Sequence, residues 1–217
     1  MYNSMNPVNV TTNPHVMQRE NGSMYSYDLL SKLLKDRVIM VVGEINDDMA
    51  QLIVAQLHYL HSEDPTAPIT MYINSPGGSV TAGMSIIDTM EFIGNPIITI
   101  CMGMAASMGS LIFMLGTKGL RFIMPRATVM IHQPLGGAQG QATEIEITAK
   151  HILKTKAIIN QMIADATGND IEVVTADTER DNYKDANESV AYGIADHIIK
   201  TFDESKQFVE DWMTSHK

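Results

Sequence analysis

The chain reads as a single α/β domain, and three observations carry that reading. Short apolar runs alternate with longer patterns of three-to-four spacing, the stretch between Glu91 and Lys118 holds no charged side chain, and no Pro/Gly/Ser-rich linker divides the 217 residues. A chain of this length buries about 70 % of its unfolded surface, so its core needs neither metal nor disulfide.

The apolar runs Val38–Val42, 69–73, 97–102 and Thr128–Ile131 predict buried strands. Between them the first helix starts near Asp47 or Asp48, either able to cap it, and carries Met49, Leu52, Ile53, Leu57 and Leu60 at helical spacing. A second runs from about 81 to 92. A long pattern over Ala142–Thr167 aligns Ile145, Ala149, Ile152, Ile159, Ile163 and Ala166 as one stripe, closed by Gly168. Such a helix can project from the core and pair with a copy of itself. Ala186–Tyr192 with Gly193 predicts a short capped helix before a strand at 194–199. Residues before Asp28 and after Ser205 read as peripheral arms, which divides the chain into an N-terminal segment 1–27, a domain 28–205 and a tail 206–217.

The uncharged stretch is long enough to span a bilayer. Asn95, Pro96, Thr99, Ser107, Ser110 and four glycines interrupt it, so it is read as a buried strand followed by a buried helix, with subunit packing supplying part of the cover. A net charge of -10, from 15 Lys+Arg against 25 Asp+Glu, repels phosphate backbones and anionic membrane surfaces and excludes nucleic acid as the expected partner. The single cysteine, Cys101, forms no internal disulfide, and the first 27 residues lack an apolar signal core. The cytoplasm is the expected location.

Three segments demand more of the backbone than packing explains. Asn74-Ser75-Pro76-Gly77-Gly78-Ser79 follows a strand and precedes a helix, where paired glycines let N–H groups approach a ligand; alone it is equally an ordinary turn. Gly103-Met104-Ala105-Ala106-Ser107-Met108-Gly109 sets a serine among small residues at a strand-to-helix turn, where helix N–H groups favour a developing oxyanion. It is not the G-x-S-x-G elbow, because Ala105 holds the first glycine's place. His132 ends an apolar strand before Gln133-Pro134, and Thr178-Glu179-Arg180-Asp181-Asn182 forms an acidic loop. Each has a bland reading, as a core histidine or a solvated surface. Together they supply a nucleophile, a base, a carboxylate and a donor loop, and a serine hydroxyl needs that company to react. His58 and His61 share a helix with no third ligand nearby, so no metal or other cofactor is expected. No G-x-x-x-x-G-K-[ST] occurs, so any nucleotide-driven work falls to a partner.

At these residues the chain resembles the Clp protease proteolytic subunits, self-compartmentalised serine peptidases. The resemblance rests on Tyr27-Asp28, Leu33-Leu34-Lys35-Asp36-Arg37, Tyr72-Ile73-Asn74-Ser75-Pro76-Gly77-Gly78, Cys101-Met102-Gly103, Ala105-Ala106-Ser107-Met108-Gly109, His132-Gln133-Pro134, Gly140-Gln141-Ala142-Thr143-Glu144 and Glu179-Arg180-Asp181. It implies a crotonase-like β-superhelix with a protruding handle helix. It implies Ser107 as nucleophile, His132 as base and Asp181 as orienting acid, with the N–H groups of Gly78 and Met108 as oxyanion hole. Val80, Pro134 and Leu135 are the implied substrate-binding positions. Two stacked seven-membered rings, of this chain alone or mixed with a paralogue, would enclose the sites, and a hexameric unfolding ATPase would feed them unfolded protein. Arg180, beside Asp181, is the expected coupling residue between rings. Tyr72 and Phe92 are the expected ATPase-docking aromatics, with ordinary core packing as the alternative. Residues up to about Val10 precede the resemblance and are expected to form a propeptide or mobile extension. Met104, Ser110, Lys184, Ser189 and Ala191 depart from the common pattern without touching the three reactive groups. Two other functions compete: a crotonase-type acyl-CoA enzyme, which needs no such serine, histidine and acid, and a non-catalytic ring subunit.

Overall fold

The computed structural model describes residues 14–20 and 22–216. The expected propeptide up to Val10 lies outside them. In chain order the elements are β1 (His15–Glu20), β2 (Ser23–Asp28), α1 (Leu29–Lys35), β3 (Val38–Val42), α2 (Asp47–Glu63), β4 (Ile69–Ser75), α3 (Val80–Ile93), β5 (Ile97–Ala106), α4 (Met108–Met114), β6 (Arg121–Ile123), β7 (Thr128–Ile131), α5 (Ala142–Thr167), α6 (Ile171–Asp177), β8 (Asn182–Lys184), α7 (Ala186–Tyr192), β9 (His197–Ile198) and α8 (Phe202–Ser215).

β3, β4, β5, β6 and β9 form a parallel sheet in that order, while β7 pairs with β5 and, antiparallel, with β8. The branching has a local cause. Between β4 and β5 the register passes from Ile73 opposite Cys101 to Ser75 opposite Ala105, so β5 bulges at Met102–Met104, where Gly103 takes φ +71°. Before the bulge β5 carries β6, and beyond it β5 carries β7. The far end of β5, which leads to Ser107, is thereby re-aimed.

Alternation in β4 assigns the sheet's two faces. Ile69, Met71 and Ile73 join the larger core with α2, α3 and α4, whereas Tyr72 packs with Ile98, Ile100, Leu120, Phe122 and Ile199 beneath Phe208, Val209 and Trp212 of α8. All seven residues of α4 are buried within this one chain, which corrects the expectation that subunit packing must help cover it. Thr99 settles its hydroxyl there by donating to the Phe113 carbonyl at 2.8 Å. Among the described residues no helix is long and apolar enough to cross a membrane.

Two further corrections concern element ends. Asn46, not Asp47 or Asp48, caps α2 by accepting the Met49 N–H at 2.9 Å. The strand expected over 194–199 is only His197–Ile198, because the N–H groups of Ile194 and Ala195 both turn back to the Ser189 carbonyl. Within the described part of the segments read as arms, β1 and β2 form a hairpin, and α8 runs across the boundary drawn at Ser205.

Arg121, its side chain 3 % exposed, pins the sheet to the helix ends. It donates to Asp196 through Nε at 2.9 Å and Nη2 at 2.6 Å, and through Nη1 to the carbonyls of Met114 and Ala166. Burial is the largest single influence on the Asp196 carboxyl and pushes it up, but the hydrogen bonds and charge of Arg121 together hold it below the usual carboxylate range. Asp196→Asn strands a buried guanidinium and should cost about 3–5 kcal/mol in denaturant unfolding. Because the folded-state value is depressed, this stabilisation is present above the unfolded pKa of about 3.9 and is lost as pH falls through the folded value. A wild-type acid transition below about pH 4 that is blunted in Asp196→Asn would verify it; equal stability of the two proteins would refute it.

Candidate active site

Two strand registers bring the reactive groups together. The parallel pairing of β5 with β7 places Ala106 opposite Met130, and the Ser107 N–H continues it by donating to the Met130 carbonyl at 2.9 Å. The antiparallel pairing of β7 with β8 sets Ile131 opposite Asn182, so the next residue on one side and the preceding one on the other, His132 and Asp181, stand side by side. His132 Nε2 is 2.8 Å from Ser107 Oγ, and its Nδ1 is 3.0 Å from Asp181 Oδ1. With the ring proton on Nδ1, the imidazole donates to Asp181 and leaves Nε2 to accept the serine proton.

Ser107 sits at the β5–α4 turn with φ +53° and ψ -125°, one of two described non-glycine residues with positive φ. Such a conformation costs of order 1–3 kcal/mol, and here it lifts the hydroxyl out of the strand toward the imidazole. The Gly77-Gly78 turn lies against it. A β-carbon on Gly77 would stand 2.6 Å from Ser107 Cβ and 3.1 Å from the Met108 nitrogen, so only glycine permits the approach. The turn is held from behind by Ile45, whose N–H donates to the Gly77 carbonyl at 2.9 Å and whose carbonyl accepts the Ser79 N–H at 2.8 Å. Met108 opens α4, where a backbone N–H has no acceptor within its own helix. Gly77 is therefore the glycine pressed against Ser107 and the start of α4, and Gly78 follows it in the same turn, backed by Ile45.

A narrow cleft beside Ser107 and His132 is lined by Val80, Leu111, Pro134 and Ile159; Leu135, 84 % exposed, lies outside that lining. Arg180 is exposed on the loop before Asp181. Tyr72 lines a groove of about 600 Å³ with Ile98, Ile100, Phe202 and Val209. Phe92, 81 % exposed, is on α3 with its ring edge to His58, on the other side of the sheet. One chain does not bring these two aromatics together. His61 is occupied by Asn95 at 2.8 Å, and among the described residues no group of three or more His, Cys, Asp or Glu could hold a metal. Burial pushes the Cys101 thiol up to about 12, so it stays protonated and is no rival nucleophile. Lys184, a departure from the common pattern, holds its ammonium 4.1 Å from the centre of the Tyr192 ring, away from the reactive groups.

The sequence reading did not single out a polar cluster behind the His132–Asp181 pair, formed by Gln133, Lys156 and Glu179. Lys156 lies 23 residues from each of the others, and no local spacing announces a contact made only in the fold.

A serine, an imidazole and a carboxylate hydrogen-bonded in series is the arrangement of serine hydrolases. The sequence model of the family described as Clp protease matches residues 20–202, and the chain belongs to that family, whose fold is crotonase-like. A relative from Ligilactobacillus salivarius (strain UCC118), 56 % identical over 187 residues that cover 86 % of this chain and 95 % of the relative, is named ATP-dependent Clp protease proteolytic subunit. α8 lies almost wholly beyond the matched family span.

Proposed function

We propose that this chain is the proteolytic subunit of an ATP-dependent protease and hydrolyses peptide bonds of unfolded proteins through Ser107, His132 and Asp181. The observation that carries the reading is the continuous series Asp181–His132–Ser107, with contacts of 3.0 and 2.8 Å. Ser107 Oγ attacks the scissile carbonyl carbon while its proton passes to His132 Nε2, and Asp181 stabilises the imidazolium. The Gly78 and Met108 N–H groups receive the oxyanion. His132 then protonates the amide nitrogen as the C–N bond breaks. Water, deprotonated by the same imidazole, hydrolyses the acyl-enzyme. Val80 and Pro134 border the substrate, and Leu135 guides it from the exposed loop.

Assembly belongs to the same reading. Ile145 and Leu153 on the outer half of α5 are 42 % and 64 % exposed and lie about 80° apart around the helix, an apolar side suited to a second copy, while Ile147, 63 % exposed, points away from it. We propose two stacked heptameric rings joined through this helix, with Arg180 making the contact that couples assembly to Asp181. Residues 1–27 would guard the axial entrance, 28–205 form the peptidase domain and 206–217 end on the outer surface, all in the cytoplasm. A hexameric unfolding ATPase would dock at the Tyr72 groove. A docking pocket shared by Tyr72 and Phe92 has to form between two copies, since within one chain they lie on opposite sides of the sheet.

Labelling at Ser107 by a fluorophosphonate serine probe, with cleavage of short peptides, tests the assignment. The acyl-CoA and scaffold alternatives both predict no label. Tyr72→Ala should weaken ATPase-dependent protein degradation much more than peptide cleavage; equal loss of both would withdraw the docking assignment.

A further inference from the structure

We infer that Lys156 is a positioning residue that ties the protruding helix α5 to the His132–Asp181 pair. The inference deepens the peptidase reading and rests on it. Asp181 has little of its own to hold it: its side chain is 59 % exposed, whereas that of His132 is 11 % exposed. Its place is set by the segment leading to it, and that segment is fastened from α5. The Lys156 ammonium donates to Glu179 Oε2 at 2.7 Å and to Gln133 Oε1 at 2.9 Å. Gln133 Nε2 in turn donates to the Glu179 carbonyl at 2.8 Å, and the Gln133 N–H donates to the Thr178 carbonyl at 2.6 Å. Gln133 follows His132 directly, and Glu179 precedes Asp181 by two residues. One ammonium therefore clasps the chain next to the base and the chain next to the acid.

A second tie lies one helical turn further on. Asn160, 3 % exposed, accepts at Oδ1 from the Thr178 hydroxyl at 3.1 Å, a proton shared with the Val174 carbonyl at 2.8 Å. Lys156 and Asn160 are i,i+4 neighbours on one face of α5, and both grip residues 178–179. No residue of α5 before Ile159 is buried, so these ties sit where the helix leaves the core. Any tilt of the outer half is carried to the Asp181 segment through them. The carboxyl of Glu179 is held below its usual range chiefly by the Lys156 hydrogen bond, in keeping with an ion pair maintained at working pH.

Lys156→Met keeps the aliphatic stem and removes the clasp. A displacement of about 1 Å in a reacting group costs on the order of 100-fold, so a partial loosening should lower kcat about 10- to 100-fold with KM little changed. Lys156→Arg should restore kcat to within a few-fold. Lys156→Met/Glu179→Gln should lose no more than the worse single variant, since Lys156→Met already removes the ion pair that Glu179→Gln weakens. Sedimentation run alongside separates positioning from assembly. Wild-type kcat in Lys156→Met overturns the inference, and so does an activity loss matched by an equal loss of assembled particles. A wild type that neither takes the serine probe nor cleaves peptide overturns the peptidase reading and this inference with it. That outcome is distinct from a labelled, active wild type in which Lys156→Met is indifferent.

Discussion

Ser107→Ala is expected to remove peptide hydrolysis by a factor on the order of 10⁴ to 10⁶ while fold and assembly persist. The hydroxyl makes one hydrogen bond, to His132, and its loss leaves the imidazole still paired with Asp181 through Nδ1. Little stability is at stake on that account. The backbone at Ser107 offers a second, independent readout. Ser107→Gly should be as inactive as Ser107→Ala but at least as stable, because relief of a φ of +53° recovers about 1–3 kcal/mol. Glycine's extra freedom in the unfolded chain offsets only about 0.4–1 kcal/mol of that. Residual activity near wild type in either variant, free of contaminating enzyme, would remove Ser107 from the mechanism; a Gly variant clearly less stable than the Ala variant would show that the turn is unstrained.

The elements most legible in the sequence were those whose ends carry their own chemistry. Ala142–Thr167 and Ala186–Tyr192 end where they do because Gly168 and Gly193 adopt φ +80° and +87°, which a side chain disfavours. α2 starts at Asp47 as the sequence predicts, but its cap is Asn46 rather than Asp47 or Asp48, because all three are competent caps and only the fold selects which side chain turns back. α8 was missed although Thr201 and Glu204 form a readable capping box; its polar pattern resembles a tail until Phe208 and Trp212 meet the Phe122 face. The site divides the same way. Ser107, His132 and Asp181 could be proposed from turn chemistry and resemblance, but their mutual distances depend on the β5 bulge and the β7–β8 register, which no single segment encodes. Lys156 was invisible because a lysine on an exposed helix face is ordinarily just solvated.

Gly78→Ala is expected to produce the second large loss, by a route that leaves Ser107, His132 and Asp181 chemically intact. Gly78 holds φ +151°, and a β-carbon there would fall 2.1 Å from the Ile45 carbonyl oxygen. Ile45 cannot retreat easily, since it is fully buried and fastened to the turn through Gly77 and Ser79. The turn must therefore shift, and with it the N–H proposed to receive the oxyanion. Losing one oxyanion donor costs about 10² to 10³ in kcat, and a shifted turn should show that loss mainly in kcat rather than KM. Gly137→Ala is the matched control: no atom lies within 4 Å of its β-carbon position and its φ is not positive, so activity should stay within about twofold. Thermal unfolding of both variants guards against global collapse as the cause. A folded Gly78→Ala protein with near-wild-type kcat would mean that the oxyanion is received elsewhere, and the roles assigned to Gly78 and the turn that carries it would have to be given up.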